Sequence, residues 1–166
     1  MDEIVTIHVR WEGPILFEDI NTSCEKYDRK QNQGIYQIYG PSNTYGNNSL
    51  LYIGKTEKQT FTKRLKKEEY SIIDNHNLMQ YFLGRISGEY EISNRQYLID
   101  VVETLLIAVH QPSNNASKLK INLDKYEKYR IYNWDNYNRL LPELSGDRYT
   151  AKYWTDNNYN WDYIKY

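Results

Sequence analysis

GIYQIYGPSNTYGNNSLLYIG, residues 34–54, decides the fold of this chain. Both ends are strand-like. Residues 34–39 (GIYQIY) and 50–54 (LLYIG) are rich in aromatic and branched side chains, while residues 40–49 are nearly all turn formers. Two such runs joined by a loop predict an antiparallel hairpin. Downstream, residues 60–70 (TFTKRLKKEEY) predict a basic amphipathic helix, with Thr60 as its cap and Phe61 and Leu65 on one face. Residues 80–86 (QYFLGRI) predict a third strand, ended by Gly88. Ser93 and Gln96 have capping-box spacing before a long apolar helix over 94–110, stopped by Pro112. Upstream, residues 4–9 (IVTIHV) alternate as a strand that Gly13-Pro14 should break, and 16–28 suggest a short helix.

The order is strand, hairpin, helix, strand, long helix. It predicts an α+β fold in which helices flank a small, mainly antiparallel, three-stranded sheet. The 166 residues fit one domain, with short additions at each end (1–29 and 117–166) around a core at 30–116.

Composition narrows the function classes. The net charge is −1, so any nucleic-acid binding must come from cations gathered on one face. Residues 52–70 and 116–130 each carry an excess of three positive charges, and residues 1–33 a deficit of three. Solvated helix faces are the ordinary reading of such segments. The single cysteine, Cys24, excludes an internal disulfide. The N-terminus lacks the apolar run of a signal peptide and no segment reaches membrane-span length, so a cytoplasmic location is expected. Three histidines and one cysteine show no zinc-site spacing, so a metal here should be a hard cation held by oxygen. The 18 tyrosines and 4 tryptophans suit a core, an interface or a stacking surface, and an AT-rich genome would also enrich Tyr, Asn, Lys and Ile.

Glu103 is the physically odd residue. It lies mid-helix among Ile99, Val102, Leu106 and Ile107. A carboxylate there is costly unless it is paired, binds a metal, or faces solvent beside a broad apolar stripe. Asp100, one turn earlier, is a candidate outer-sphere partner, with exposure the ordinary alternative.

Gly34-Ile35-Tyr36 followed by Tyr52-Ile53-Gly54 resembles the signature of the GIY-YIG nuclease family. The resemblance extends to Lys55 after YIG, Arg64 on the following helix, and Glu103 leading through an apolar helix to Pro112 and Asn115. It covers residues 34–115. Two departures are a longer loop between the motifs and two extra residues between Lys55 and Arg64. The lysine and the long loop are similar to small restriction endonucleases of that family.

The resemblance implies hydrolysis of DNA phosphodiester bonds with one divalent metal, Mg²⁺ or in its place Mn²⁺. Glu103 would hold the metal, since Mg²⁺ keeps several waters and takes few carboxylates. Arg64 would bind the scissile phosphate through its planar fork. Tyr36 would be the general base or orient the attacking water, helped by the nearby cations Lys55 and Arg64. Tyr52 would hydrogen-bond the phosphate or the water. Gly34, Gly54 and Asn115 would support the site, and Lys63, Lys66, Lys67, Lys118 and Lys120 are candidate DNA contacts. Packing is the ordinary role of each tyrosine, and capping that of His110.

Three functions stand against one another: a restriction-type endonuclease, possible as a homodimer; a repair or structure-specific nuclease; and a non-catalytic nucleic-acid-binding module. The last predicts loss of Tyr36, Arg64 or Glu103, all of which are present.

Overall fold

A computed structural model describes residues 4–56, 58–72, 78–88, 92–119 and 122–149. The elements are β1 (Val5–Ile15), α1 (Ile20–Glu25), β2 (Ile35–Ser42), β3 (Gly46–Lys55), α2 (Phe61–Ile72), β4 (Gln80–Ser87), α3 (Ile92–His110), β5 (Tyr129–Asp135) and β6 (Glu143–Ser145).

The six strands form one mixed sheet in the order β3-β2-β4-β1-β5-β6. This overturns the three-stranded, mainly antiparallel expectation with short terminal additions. The hairpin and the strand over 80–86 are present, as β2 pairs antiparallel with both β3 and β4. The segments taken as additions supply the other half of the sheet. β1 lies antiparallel to β4 and parallel to β5, and β6 closes the far edge. The physical reason is the second side of β4. A central strand must satisfy its backbone groups on both sides, and β1 fills the side that β2 leaves.

Three local expectations also change. β1 runs past Gly13-Pro14 to Ile15, with a register shift between Glu12 and Ile15, rather than ending there. The hairpin turn is tighter than residues 40–49 suggest, because β2 continues to Ser42 and β3 begins at Gly46. Gly46 has φ 92°, a left-handed turn geometry that its lack of a Cβ permits. The region 16–28 holds a 3-10 turn (Phe17–Asp19) and only a short α1.

α2 starts where expected. Lys63 N donates to Thr60 Oγ1 at 3.5 Å, and Phe61 and Leu65 are buried together. α3 begins at Ile92, so Ser93 lies inside the helix rather than at its cap.

The core has two parts. On one side of the sheet, α3 buries Leu98, Ile99, Val101, Val102, Leu105 and Leu106 against Ile7, Val9 and Ile131. On the other, Ile20 and Cys24 of α1 and Phe61 and Leu65 of α2 cover Tyr36, Ile38, Tyr81 and Leu83. With both faces covered, β2 is buried from Ile35 to Gly40, and its sequence there is polar only at Gln37, whose Oε1 accepts from the Tyr39 hydroxyl at 2.9 Å. Among the described residues, no helix is long and apolar enough to cross a membrane.

Candidate active site

The site sits at the β3 edge, where the first turn of α2 and the middle of α3 meet it. A cavity of about 270 Å³ is lined by Tyr52, Lys55, Arg64, Glu103 and Lys118, with Asn115 behind. Three elements and one loop thus bring together residues as much as 66 positions apart (Tyr52 and Lys118) in the chain.

Tyr36 and Tyr52 do share a face. Tyr36 is in register with Gly54 and Ile38 with Tyr52, which leaves the two rings 6.0 Å apart on the α2 side. Tyr36 is fully buried and does not line the cavity. Its hydroxyl accepts a hydrogen bond from Arg64 Nε at 3.3 Å, so it fixes the guanidinium from behind. Gly54 makes room for that arrangement, because a Cβ there would collide with the Tyr36 hydroxyl. Gly34 is equally constrained by the Gly84 carbonyl. Its N–H donates to Thr56 Oγ1 at 2.8 Å, pinning the end of β3.

Asn115 ties the chain after α3 to the edge strand. Its Nδ2 donates to Ile53 O at 2.9 Å and its Oδ1 accepts from Ile53 N at 3.0 Å. Asn114 N adds a bond to Leu51 O at 2.8 Å. The 113–115 loop therefore covers a strand edge that would otherwise offer unpaired backbone groups.

Glu103 is buried, 8% exposed, in an otherwise apolar stretch of α3. It does not face open solvent. Lys118 Nζ donates to Glu103 Oε2 at 2.7 Å and to Asp100 Oδ1 at 2.8 Å. Lys55 Nζ donates to Asp100 Oδ1 at 2.5 Å and lies 3.7 Å from Glu103 Oε2. Lys55 thus stands with the two carboxylates. Burial pushes the Asp100 carboxyl up, but hydrogen bonds from Lys118 and Lys55, with their charges, outweigh it and hold it below its ordinary value. For Lys118, burial favours loss of the proton, and the bonds to Asp100 and Glu103 outweigh that and raise its value.

Lys118 also has φ 64°, a left-handed conformation that costs a lysine about 1–3 kcal/mol. Its placement is the main feature that sequence reasoning missed. It was counted among candidate DNA contacts, yet it bridges the two carboxylates. Asp100 is half-buried and shared by both lysines, not an exposed surface carboxylate. Its signal was the three-residue spacing from Glu103 on one helix face. Nothing in the linear spacing marks Lys118.

Lys63 and Lys66 are exposed on α2. The side chain of Lys67, and all of Lys120 and of the segment 150–166, lie outside the described residues. His110 is the last residue of α3; its Nε2 accepts from Leu141 N at 3.3 Å, and burial lowers its pKa to about 4.

Among the described residues there is no cluster of three or more His, Cys, Asp or Glu side chains. A hard cation needs fewer. Asp100 and Glu103 both reach one Lys118 Nζ, so the ammonium stands where a cation held by both carboxylates would sit. Two hard oxygen donors beside an open cavity suit Mg²⁺, which completes its octahedron with water. Comparison with protein-family models, curated proteins and solved structures gives no match to the chain.

Proposed function

We propose that the protein is a metal-dependent DNA endonuclease of the GIY-YIG type. The observation that carries this reading is the meeting of Glu103 from α3, Arg64 from α2 and Tyr52 from β3 on one cavity.

Each residue has a task that follows from its setting. Arg64 is the phosphate ligand. Its fork suits two phosphate oxygens, and Tyr36 holds its Nε, so the remaining nitrogens are aimed before substrate arrives. Tyr52 lines the cavity and offers a hydroxyl to the phosphate or the attacking water. Glu103, with Asp100 beside it, would hold the metal. Mg²⁺, or Mn²⁺ in its place, would supply charge neutralisation at the phosphate and a more acidic bound water. Lys118 and Lys55 balance the charge of the two carboxylates. Tyr36 sets the geometry of Arg64, which is a narrower role than general base. The water's proton would pass to a phosphate oxygen, either directly or through the Tyr52 hydroxyl, which gives up its own proton as it takes one.

A second reading has its own support. The Asp100–Glu103–Lys55–Lys118 cluster is fully ion-paired without any metal. A non-catalytic DNA-binding module would keep such a cluster for stability. Incubation of plasmid and branched DNA with the protein and Mg²⁺ separates the readings. Discrete fragments from intact plasmid support a restriction-type enzyme, and cuts confined to branches or flaps support a structure-specific one. DNA bound but left whole in both Mg²⁺ and Mn²⁺ supports the binding module and contradicts the nuclease reading.

A further inference from the structure

A second cavity is larger than the one at the β3 edge. It measures about 830 Å³ and opens beside β1 and β4, where Arg10, Lys30, Arg85 and Arg95 meet the carboxylates of Glu12, Asp28 and Asp135. At its wall is Arg85, 9% exposed. Its guanidinium lies 3.8 Å from the Tyr27 ring centroid. Nη1 donates to Glu12 Oε2 at 2.9 Å and Nε to the Gln31 carbonyl at 3.2 Å. Nη2 is buried and has no acceptor among the described residues. Glu12 is shared with Lys26 at 2.7 Å, so one carboxylate faces two cations.

The cavity continues onto an open part of the sheet. His8 and Arg10 of β1 are in register with Tyr132 and Trp134 of β5, and Arg10 with Arg85 of β4. Those side chains lie opposite Ile7, Val9 and Ile131, which fill the α3 core, and they belong to neither apolar cluster. His8 stacks on Tyr132 at 5.6 Å, and Trp134 Nε1 donates to His8 Nδ1 at 3.0 Å. The rings are thus held in place, yet Trp134 remains 46% exposed. Arg10 pairs with Asp135 at 3.3 Å, a pair more than half exposed and readily exchanged for another anion. Arg130, in the same row of β5, makes no ion pair among the described residues.

We propose that this face, from the Arg85 cavity to Trp134, binds an unpaired segment of nucleic acid. The proposal rests on the nuclease reading and names the substrate class of that enzyme: DNA with a single-stranded part. Fixed aromatic rings on a sheet can stack only on bases whose faces are open, and a duplex covers its base faces with its own neighbours. Arginines beside the rings match the phosphates of the same strand. At roughly 4.8 Å per strand, β1 and β5 lie about 14–19 Å from β3, a few nucleotides of extended strand away.

The test is fluorescence anisotropy with a labelled single-stranded oligonucleotide and the matching blunt duplex, in EDTA, using the full chain. The expected result is tighter binding of the single strand. Trp134→Ala lowers that affinity about tenfold. Arg130→Ser lowers it less, and flattens the salt dependence by about 0.7 in log–log slope. Circular dichroism of both variants matches the unaltered protein, since neither side chain is in the core. Equal affinities in all three proteins, or a preference for the duplex, overturn the proposal. So does a change of oligomeric state in Trp134→Ala without a change in DNA affinity, which makes the face a protein interface. If the single strand is bound through Trp134 but no DNA is ever cut, the nuclease reading fails and this one stands. If DNA is cut and the variants bind normally, the reverse holds.

Discussion

Two cavities lie on the same sheet, and they treat charge in opposite ways. At the β3 edge the two carboxylates each meet two lysines, and Lys118 is bent into a left-handed backbone to do so. Beside β1 and β4, cations outnumber carboxylates and a buried guanidinium keeps one nitrogen without an acceptor. In the first arrangement two lysines balance two carboxylates. The second is incomplete and lacks an acceptor. A site that performs chemistry with a metal fits the first description, and a site that holds an anionic strand fits the second.

That contrast can be broken at several points. Glu103→Ala removes the more buried carboxylate, and cleavage should fall on the order of 10³-fold or more while DNA binding changes little, because a metal ligand acts mainly on the transition state. Arg64→Ala should cost about 10²–10³-fold in kcat by steady-state assay, with Lys a poor substitute at a forked phosphate contact. Asn115→Ala leaves Ile53 N and O without their partner, so thermal unfolding should show a loss of about 2 kcal/mol, or roughly 4–8 °C. An unchanged melting point would mean that water replaces Asn115 and that the β3 edge is not held by it.

The smallest effect concerns pH. Burial lowers the His110 pKa to about 4, below its ordinary 6.5. The unfolded chain therefore takes up the proton first, and the neutral-histidine contribution to stability is lost as pH falls from 6.5 towards 4. His110→Asn should lose less stability over that interval. Asp100 works in a separate window, since its lowered pKa places its loss below 3.8.

The residues of the proposed cutting site were more legible in the sequence than the fold that carries them. The hairpin, α2 and α3 are local patterns, so residues 34–54, Phe61 with Leu65, and the apolar run around Glu103 announce themselves. β5 does not. Residues 129–135 alternate only through Tyr129 and Ile131, and the strand's parallel partner β1 lies more than 100 positions away. β6 has three residues, too short for any period. The hairpin loop hid strand residues for a related reason: Pro41, Ser42 and Asn47 are turn formers, yet pairing across the ribbon extends both strands through them. Lys118 and Arg85 were legible only as a basic residue and as part of an apolar strand. What makes each notable is a neighbour supplied by topology.

One measurement bears directly on the division between a site that cuts and a face that holds. It is single-turnover cleavage of DNA carrying a single-stranded flap, with protein in excess and the reaction started by Mg²⁺. The account predicts that Glu103→Ala stays inactive at every protein concentration, while Trp134→Ala is slow at low concentration and regains the original rate at saturation. Cleavage by Glu103→Ala at the original rate, or a Trp134→Ala defect that persists at saturation, would contradict it.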